Sequence, residues 1–110
     1  MGATATFESI PNYPATINIP KHAELCANAA AMVVGNKNVL RSEPPTMGSE
    51  DFAFLLNASE GAYIWIGNGL VPEDSPRGGC MLHNPQYDFT DEILTIGTSY
   101  WVQLVQNILK

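Results

Sequence analysis

The sequence predicts an α/β fold in which helices cover a sheet, and three observations lead to this prediction. Residues Ala3 to Ile10 alternate apolar and polar side chains with the period of a half-buried strand. The segments 21–35 and 93–108 place apolar residues at helical spacing. Between them the run AYIWIG, residues 62–67, is continuously apolar, which is typical of a strand covered by helices on both faces.

The length and composition indicate one globular domain at most. The chain has 110 residues, of which 45% are hydrophobic and 15% are charged. No apolar run approaches the roughly 18 residues that a membrane span needs, and the amino terminus lacks the basic and apolar regions of a signal peptide. Two cysteines, Cys26 and Cys80, are too few for a disulfide framework. We therefore expect a cytoplasmic protein with no membrane partner.

The net charge of -6 is concentrated in one part of the chain. Nine acidic residues lie between Glu43 and Glu92, where Arg77 is the only basic residue. A negative field of this kind repels phosphate backbones, so nucleic acid is not expected as a partner. It is compatible with divalent cations nearby, although composition alone favours a solvated acidic face.

The first predicted helix follows a segment that contains three prolines in ten residues, PNYPATINIP, and that we interpret as a crossing between two packing units. The helix is expected from Lys21 to Gly35, with Pro20 at its start and Gly35 as its carboxyl-terminal cap. Its apolar stripe consists of Leu25, Ala29, Met32 and Val33, with Cys26 as a small core neighbour. His22 is expected to be exposed and without a role.

Two further helices are predicted from capping signals. Ser49 is expected to cap a helix that opens with Glu50 and Asp51, where acidic residues favour the positive end of the helix dipole. Thr90 is expected to cap the last helix in the same way, with Asp91 and Glu92 in its first turn. The buried face of that last helix is predicted to be formed by Ile93, Gly97, Trp101, Leu104 and Ile108.

The long loop between residues 68 and 88 contains the best candidate for a metal ligand, His83. Pro85 stiffens the loop behind it, and Asp88, Asp91 and Glu92 are near enough in sequence to orient the imidazole. The spacing of Cys80 and His83 resembles half of a zinc site, but no second pair completes it. From the residues alone, a histidine without a metal role is the more common case.

Gly48 and Ser49 precede the second predicted helix, and two interpretations of them stay open. The pair suits the presentation of backbone N–H groups to an anion such as a carboxylate. An ordinary helix start is the more common case, and Glu50 and Asp51 are either pocket carboxylates or helix-end charges. Nucleophilic catalysis by Ser49 is not supported, because the G-x-S-x-G motif is absent.

Taken in order, MGSEDFAFLL, AYIWIGNG and MLHNPQYDFTDEIL resemble the carboxyl-terminal part of the zinc-dependent aminoacylase and carboxypeptidase family. Within that family they are most similar to the hippurate hydrolases, N-acyl-amino-acid amidohydrolases and auxin-conjugate hydrolases. The resemblance implies a fragment of a helix–sheet–helix metallopeptidase catalytic domain, residues 19–110. Residues 1–18, which include ATATFESIPNYPATINI, resemble the last strand of the family's lid (dimerisation) domain and its return segment.

The same resemblance implies hydrolysis of small N-acyl-amino acids with a divalent metal, zinc or manganese. His83 corresponds to the family's late metal ligand, and Gly48, Ser49 and Glu50 fall where the family lines its substrate pocket. The family's other ligands and its general base lie upstream of the matching region and are not among these 110 residues. We therefore expect no catalytic residue in this chain, an incomplete metal site that holds no metal by itself, and no activity alone.

Two alternatives remain at this stage. The chain could be a non-catalytic binding or assembly module that forms a homodimer through the exposed edge of residues 3–10. It could also be a small independent metal-binding protein that uses His83 with carboxylates from two chains. Metal titration and self-association separate these alternatives from the amidohydrolase hypothesis.

Overall fold

The computed structural model describes residues 2–69, 80 and 82–110, which form three α-helices and one short 3-10 helix. The α-helices are α1, Pro20–Val34, α2, Phe52–Ala58, and α3, Glu92–Ile108; the 3-10 helix, Asn36–Asn38, follows α1. These described ranges contain no β-strand, so the predicted α/β fold with a lid strand is wrong. None of the helices described is long and apolar enough to cross a membrane.

The two predicted strands fail because a strand needs a neighbouring backbone with which to exchange hydrogen bonds. Residues 3–10 make no backbone hydrogen bond within the described ranges, and all are exposed, Phe7 to 92%. In the run 62–67, the backbone N–H and C=O of Tyr63 bond to the side-chain amide of Asn18 rather than to another strand. The pattern of apolar residues indicates which side chains are buried favourably. It does not indicate whether another backbone is available to pair with the segment.

Helix α1 agrees closely with its prediction, because its end signals are local. Pro20 occupies the first helical position, where its missing N–H costs nothing, and Gly35 ends the helix with φ 81° and ψ 148°. Side chains with a Cβ atom avoid that conformation, so only glycine adopts it without strain. The Gly35 N–H donates to the Ala31 carbonyl at 2.9 Å and thereby closes the last turn.

We expect Gly35→Ala to lower the free energy of unfolding by about 1–2 kcal/mol, because alanine is strained at a positive φ. Space is not the cause, since an added Cβ would meet nothing within 4 Å. Gly48→Ala is the matched control, because Gly48 is equally open and has no positive φ. Chemical denaturation followed by circular dichroism measures both, and an equal loss in the two variants would contradict the argument.

The core lies where α1 packs against α3. It contains Cys26 and Ala29 from α1 with Tyr100 and Leu104 from α3, and Ala29 is fully buried. A fully buried alanine permits close approach of two helices, because it fills little of the space between them. Burial raises the pKa of the Tyr100 hydroxyl, and the hydrogen bond of that hydroxyl with Cys26 raises it further.

The buried face of α3 differs from its predicted one by one position. Tyr100 is 3% exposed, whereas Trp101 and Ile108, which were expected inside, are 61% and 59% exposed. Residues 93, 97, 100 and 104 therefore form the inward row, which is a valid helical spacing as well. Sequence periodicity permitted both rows, and the contact with α1 selected the one with Tyr100.

The apolar segment, defined here as residues 61–69, is attached to the rest of the fold at both ends by asparagine side chains. In the Asn18 bridge, the Asn18 amide donates to the Tyr63 carbonyl at 2.8 Å and accepts from its N–H at 2.7 Å. In the Asn68 bridge, Asn68 bonds to the backbone of Asp88 and to Thr90. Between the bridges, Ile64 packs against the α1–α3 core.

An ion cluster next to the Asn18 bridge joins α1 to the residue before the apolar segment. The Glu60 carboxylate lies 2.6 Å from the Lys21 ammonium and 3.1 Å from Nε2 of His22. The hydrogen bond with Lys21, and to a smaller extent that with His22, holds the pKa of the Glu60 carboxyl below its usual value. His22 is thus half-buried and bonded to Glu60 rather than exposed and free as predicted.

Candidate functional site

Gly48, Ser49 and Glu50 lie immediately before α2, but the helix begins later than predicted. Ser49 is exposed and does not cap α2, which starts at Phe52 with Asp51 in the preceding position and no side-chain cap bond. Instead, the Glu50 carboxylate accepts from the Phe52 N–H at 3.3 Å. The Glu50 carbonyl accepts from the Ala53 N–H, and the Asp51 carbonyl accepts from the Phe54 N–H. These three amides are therefore occupied by the chain itself, which argues against anion binding at this helix start.

Glu50 is the most constrained of the predicted pocket residues. It is half-buried, and its Oε2 atom accepts a hydrogen bond from the Tyr63 hydroxyl at 3.0 Å while Oε1 faces Phe52. A hydrogen bond with the Asp51 side chain, then the Phe52 N–H, then Tyr63 hold the pKa of the Glu50 carboxyl below its usual value. Donors that favour the ionised form account for this direction. Glu50 is accordingly a pre-oriented carboxylate.

Asp51 shows the opposite behaviour, because it shares a hydrogen bond with an ionised neighbour. The bond to Glu50 and the repulsion between the two charges raise the pKa of the Asp51 carboxyl above its usual value. Two adjacent carboxyls whose pKa values move apart can hold one proton between them. Glu50 and Asp51 therefore titrate as a coupled pair, in which each carboxyl changes the pKa of the other.

We expect Tyr63→Phe to raise the pKa of the Glu50 carboxyl, because the variant removes one of the donors to its ionised form. In the wild type the pKa of Glu50 is lower in the folded state than its usual value, so this carboxylate stabilises the fold at higher pH. That stabilisation is lost as the pH falls through the folded-state pKa. NMR titration of the Glu50 side chain measures the change. Tyr13→Phe is the control, since Tyr13 contacts Phe54 and not Glu50. An unchanged Glu50 titration in Tyr63→Phe would contradict this assignment.

His83 lies directly before a hydrogen-bonded turn formed by residues 84–87. It is exposed and has φ 70°, the one positive φ outside glycine in the described ranges. Asn84 follows it: the Asn84 carbonyl accepts from the Tyr87 N–H at 2.9 Å, and its side chain accepts from the Gln86 N–H at 2.8 Å. Pro85 occupies the second position of this turn, where its fixed φ is favourable.

The Asn68 bridge bonds to the residues that follow this turn. The Asn68 side chain donates to the Asp88 carbonyl at 3.2 Å and accepts from the Thr90 N–H at 2.7 Å, and the Thr90 hydroxyl donates to the Asn68 carbonyl at 2.9 Å. Thr90 is consequently not the side-chain cap of α3 that the sequence predicted. Helix α3 begins at Glu92, with Asp91 before it and no side-chain cap bond.

The donor set of the described residues does not form a complete metal site. No group of three or more His, Cys, Asp or Glu residues comes together within 2–69, 80 and 82–110. Among the described residues, the hydrogen bonds and ion pairs do not include the His83 imidazole, and its orientation by Asp88, Asp91 and Glu92 stays a prediction. Cys80 is a half-buried free thiol. His83 therefore supplies a single nitrogen donor, and no metal-dependent step can be assigned to the described residues alone.

The structure joins the predicted site residues into two separate groups. Glu50 belongs to a cluster with Asp51, Phe52 and Tyr63, in which the Phe52 and Tyr63 rings lie 5.3 Å apart. His83 belongs to the turn anchored by Asn68, and no described hydrogen bond or ion pair links it to the Glu50 cluster. The predicted roles of Gly48, Ser49, Glu50 and His83 stay predictions.

A groove of about 380 Å³ opens beside the Glu50 cluster, between the apolar segment and the two long helices. Its walls are largely apolar and include Phe52, Tyr63, Trp101 and His22. Trp65 stands next to it, 65% exposed, with its ring 5.3 Å from that of Tyr63. Exposed aromatic surface of this kind is typical of a face that contacts another molecule or another part of a protein.

Sequence reasoning missed Asn18, Tyr63 and Asn68, although each carries several contacts of the site. Two of them had a detectable signal. Asn18 is a single amide between Ile17 and Ile19, and Asn68 directly follows an apolar run. An amide at such a position often replaces a backbone partner, because it offers one donor and one acceptor.

Comparison with known proteins gives the family. Residues 3–107 match peptidase family M20/M25/M40. The chain is 30% identical over 97 residues to a hippurate hydrolase of Campylobacter jejuni, an alignment that covers 88% of the chain and 23% of that protein. It is 28% identical over 109 residues to an N-acetylcysteine deacetylase of Bacillus subtilis, covering 99% of the chain and 26% of that protein.

A plant relative gives a similar result: an IAA-amino acid hydrolase of Arabidopsis thaliana is 29% identical over 112 residues, covering 97% of the chain and 24% of that protein. No solved structure matches the chain. The chain thus spans about a quarter of the length of the curated relatives it matches. Because the match extends over nearly all of its residues, this chain belongs to peptidase family M20/M25/M40, whose members are generally metal-dependent and include amidohydrolases.

Proposed function

We propose that this chain is the carboxyl-terminal portion of a metal-dependent amidohydrolase that hydrolyses N-acyl-amino acids, and that it is inactive by itself. The observation that carries the proposal is the family match over residues 3–107. The names of the relatives support the substrate class, since hippurate, N-acetylcysteine and IAA-amino acids each contain an amide between an acyl group and an amino acid. In this proposal His83 is a metal ligand, and Gly48, Ser49 and Glu50 contact the substrate.

The small core supports the part of the proposal that concerns incompleteness. Only five described residues are buried, whereas large apolar side chains such as Trp65 and Trp101 are more than half exposed. The radius of gyration is 18.5 Å, compared with about 13 Å for a compact domain of this size. Apolar surface of this extent favours coverage by further polypeptide, which in an M20 enzyme would also bring the remaining metal ligands.

Calorimetric titration of the 110-residue chain with zinc and with manganese tests the absence of an independent site. We expect no binding at micromolar affinity, in the chain or in His83→Ala, because a single imidazole is a weak ligand. Stoichiometric micromolar binding that disappears in His83→Ala would contradict the proposal. That result would instead support an independent metal-binding protein.

A chimera tests the enzymatic part of the proposal. In it, this chain replaces the matching 97-residue region of the C. jejuni hippurate hydrolase. We expect the chimera to release glycine from hippurate, whereas the same enzyme with the region deleted does not. The unmodified hydrolase is the positive control, and a folded, metal-loaded chimera without activity on hippurate or N-acetylcysteine would contradict the proposed substrate class.

The alternative proposal is a homodimeric assembly module that associates through residues 3–10. The exposure of Phe7 and Ile10, 92% and 70%, favours a contact in this segment. Sedimentation velocity over a range of protein concentrations separates the proposals. Association that is independent of metal and lost in Phe7→Ser would support the assembly module.

A further inference from the structure

We infer that Asn68 is a positioning residue for His83. The Asn68 side chain holds the stretch of backbone that carries this histidine at a fixed place on the apolar segment. The inference rests on the proposed function, in which His83 is a metal ligand. It concerns a residue to which neither the family match nor the predicted pocket gives a role. The contacts of Asn68 itself carry the argument.

Asn68 uses every hydrogen-bonding group of its side chain on one short stretch of backbone. Its Nδ2 donates to the Asp88 carbonyl at 3.2 Å, and its Oδ1 accepts from the Thr90 N–H at 2.7 Å. Its main-chain carbonyl accepts from the Thr90 hydroxyl at 2.9 Å. Aspartate keeps the acceptor and lacks the donor, and alanine lacks both, so the pattern requires an amide.

Residues 84–87 connect this stretch to His83 and form a hydrogen-bonded turn. The Asn84 carbonyl accepts from the Tyr87 N–H, and the Asn84 side chain accepts from the Gln86 N–H. Pro85 restricts the same stretch further. The left-handed backbone of His83, φ 70°, is a strained conformation that persists where neighbouring structure imposes it.

The apolar segment that carries Asn68 is attached to the core both by the Asn18 bridge and by the packing of Ile64, so loss of the Asn18 bridge leaves the Ile64 attachment in place. The Asn18 side chain bonds to the backbone of Tyr63. The N–H of the next residue, Ile19, donates to the Gly61 carbonyl at 3.2 Å. Ile64 packs on the α1–α3 core between the two bridges. Besides the direct connection of residues 88–91 to α3, Asn68 thus gives the stretch that carries His83 a second attachment to that core.

The test compares Asn68→Ala with Asn18→Ala, which removes an equivalent amide bridge at the other end of the segment. NMR of the 110-residue chain records the His83 imidazole resonances and the hydrogen-exchange rate of the Thr90 amide. In Asn68→Ala we expect Thr90 exchange to accelerate by about fivefold or more, since one hydrogen bond is lost. The His83 resonances should move toward those of an unstructured peptide, and in Asn18→Ala they should stay in place.

Asn68→Asp keeps the test informative if Asn68→Ala does not fold. It retains the acceptor for Thr90 and loses the donor to Asp88, so we expect the helical circular dichroism to persist while the His83 resonances move. His83 resonances that stay unchanged in a folded Asn68 variant would overturn the inference. Equal movement in Asn18→Ala would also overturn it, because the effect would then be a general loosening of the fold.

The metal content of the chimera separates this inference from the proposed function. In the chimera, Asn68→Ala should weaken metal affinity by about 10–100-fold, as loss of a residue that orients a ligand usually does. If His83→Ala retains the metal, the proposed ligand role fails, whatever NMR shows for Asn68. If His83→Ala loses the metal and Asn68→Ala changes neither affinity nor the His83 resonances, only the inference fails.

Discussion

Replacing His83 by alanine should reduce hippurate hydrolysis by the chimera at least about 100-fold, with a parallel loss of bound metal. In the proposed function this imidazole is the ligand that the chain contributes, since the described residues include no group of three or more His, Cys, Asp or Glu that could hold a metal ion. Steady-state hydrolysis of hippurate, together with metal content per polypeptide, measures both effects. Loss of activity with full metal content would assign His83 to a different role.

His22→Ala is the matched control for this prediction, because His22 is the other histidine of the chain. It is bonded to Glu60 at 3.1 Å, and the structure gives it no part in the His83 turn. We expect His22→Ala to keep the metal and most of the activity. A loss as large as that of His83→Ala would indicate a general sensitivity to histidine replacement, and the specific ligand role would be contradicted.

Tyr100→Ala is expected to have the largest effect on stability, about 3–5 kcal/mol in the free energy of unfolding. The ring is 3% exposed at the centre of the α1–α3 contact, and its removal leaves a cavity beside Cys26 and Ala29. A loss of this size is comparable to the total stability of a small domain. We therefore expect the variant to show little helical circular dichroism under conditions where the wild type is folded.

Two variants control this prediction. Trp101→Ala removes a larger ring that is 61% exposed, and we expect it to cost much less than Tyr100→Ala. Tyr100→Phe keeps the ring and removes only the hydroxyl bonded to Cys26, for an expected cost of about 1 kcal/mol. Denaturant unfolding compares all three. A greater loss in Trp101→Ala would show that α3 buries the face originally expected from the sequence.

Local signals were enough to predict where helices form. Pro20 and Gly35 bound α1 almost where the sequence placed its ends, because a missing N–H and a positive φ are properties of single residues. The starts of α2 and α3 were predicted too early. Ser49 makes no capping bond, and Thr90 bonds to Asn68 instead. A capping side chain can bond to any suitable donor or acceptor nearby, and the tertiary structure determines which partner it contacts.

In the candidate site, too, some features were predictable from local sequence and others were not. His83, Gly48, Ser49 and Glu50 were named from motifs, and the family match is consistent with the motif that contains them. The contacts of Glu50 with Tyr63 and the Asn68 bridge join residues 13 and 20–22 positions apart, and no periodicity reports such pairs. The absence of strands in the described ranges has the same origin, since a strand depends on a partner backbone elsewhere in the chain.

By itself, the sequence determined the family, the two long helices and the end of α1, because these depend on short motifs and on single-residue conformational preferences. Tertiary structure alone decided that Tyr100 rather than Trp101 faces α1, and that Asn18 and Asn68 take the place of neighbouring strands. It also decided that Glu50 is held by Tyr63. Each of these choices is made between two locally acceptable alternatives, and the free-energy difference between them arises only when distant parts of the chain come into contact.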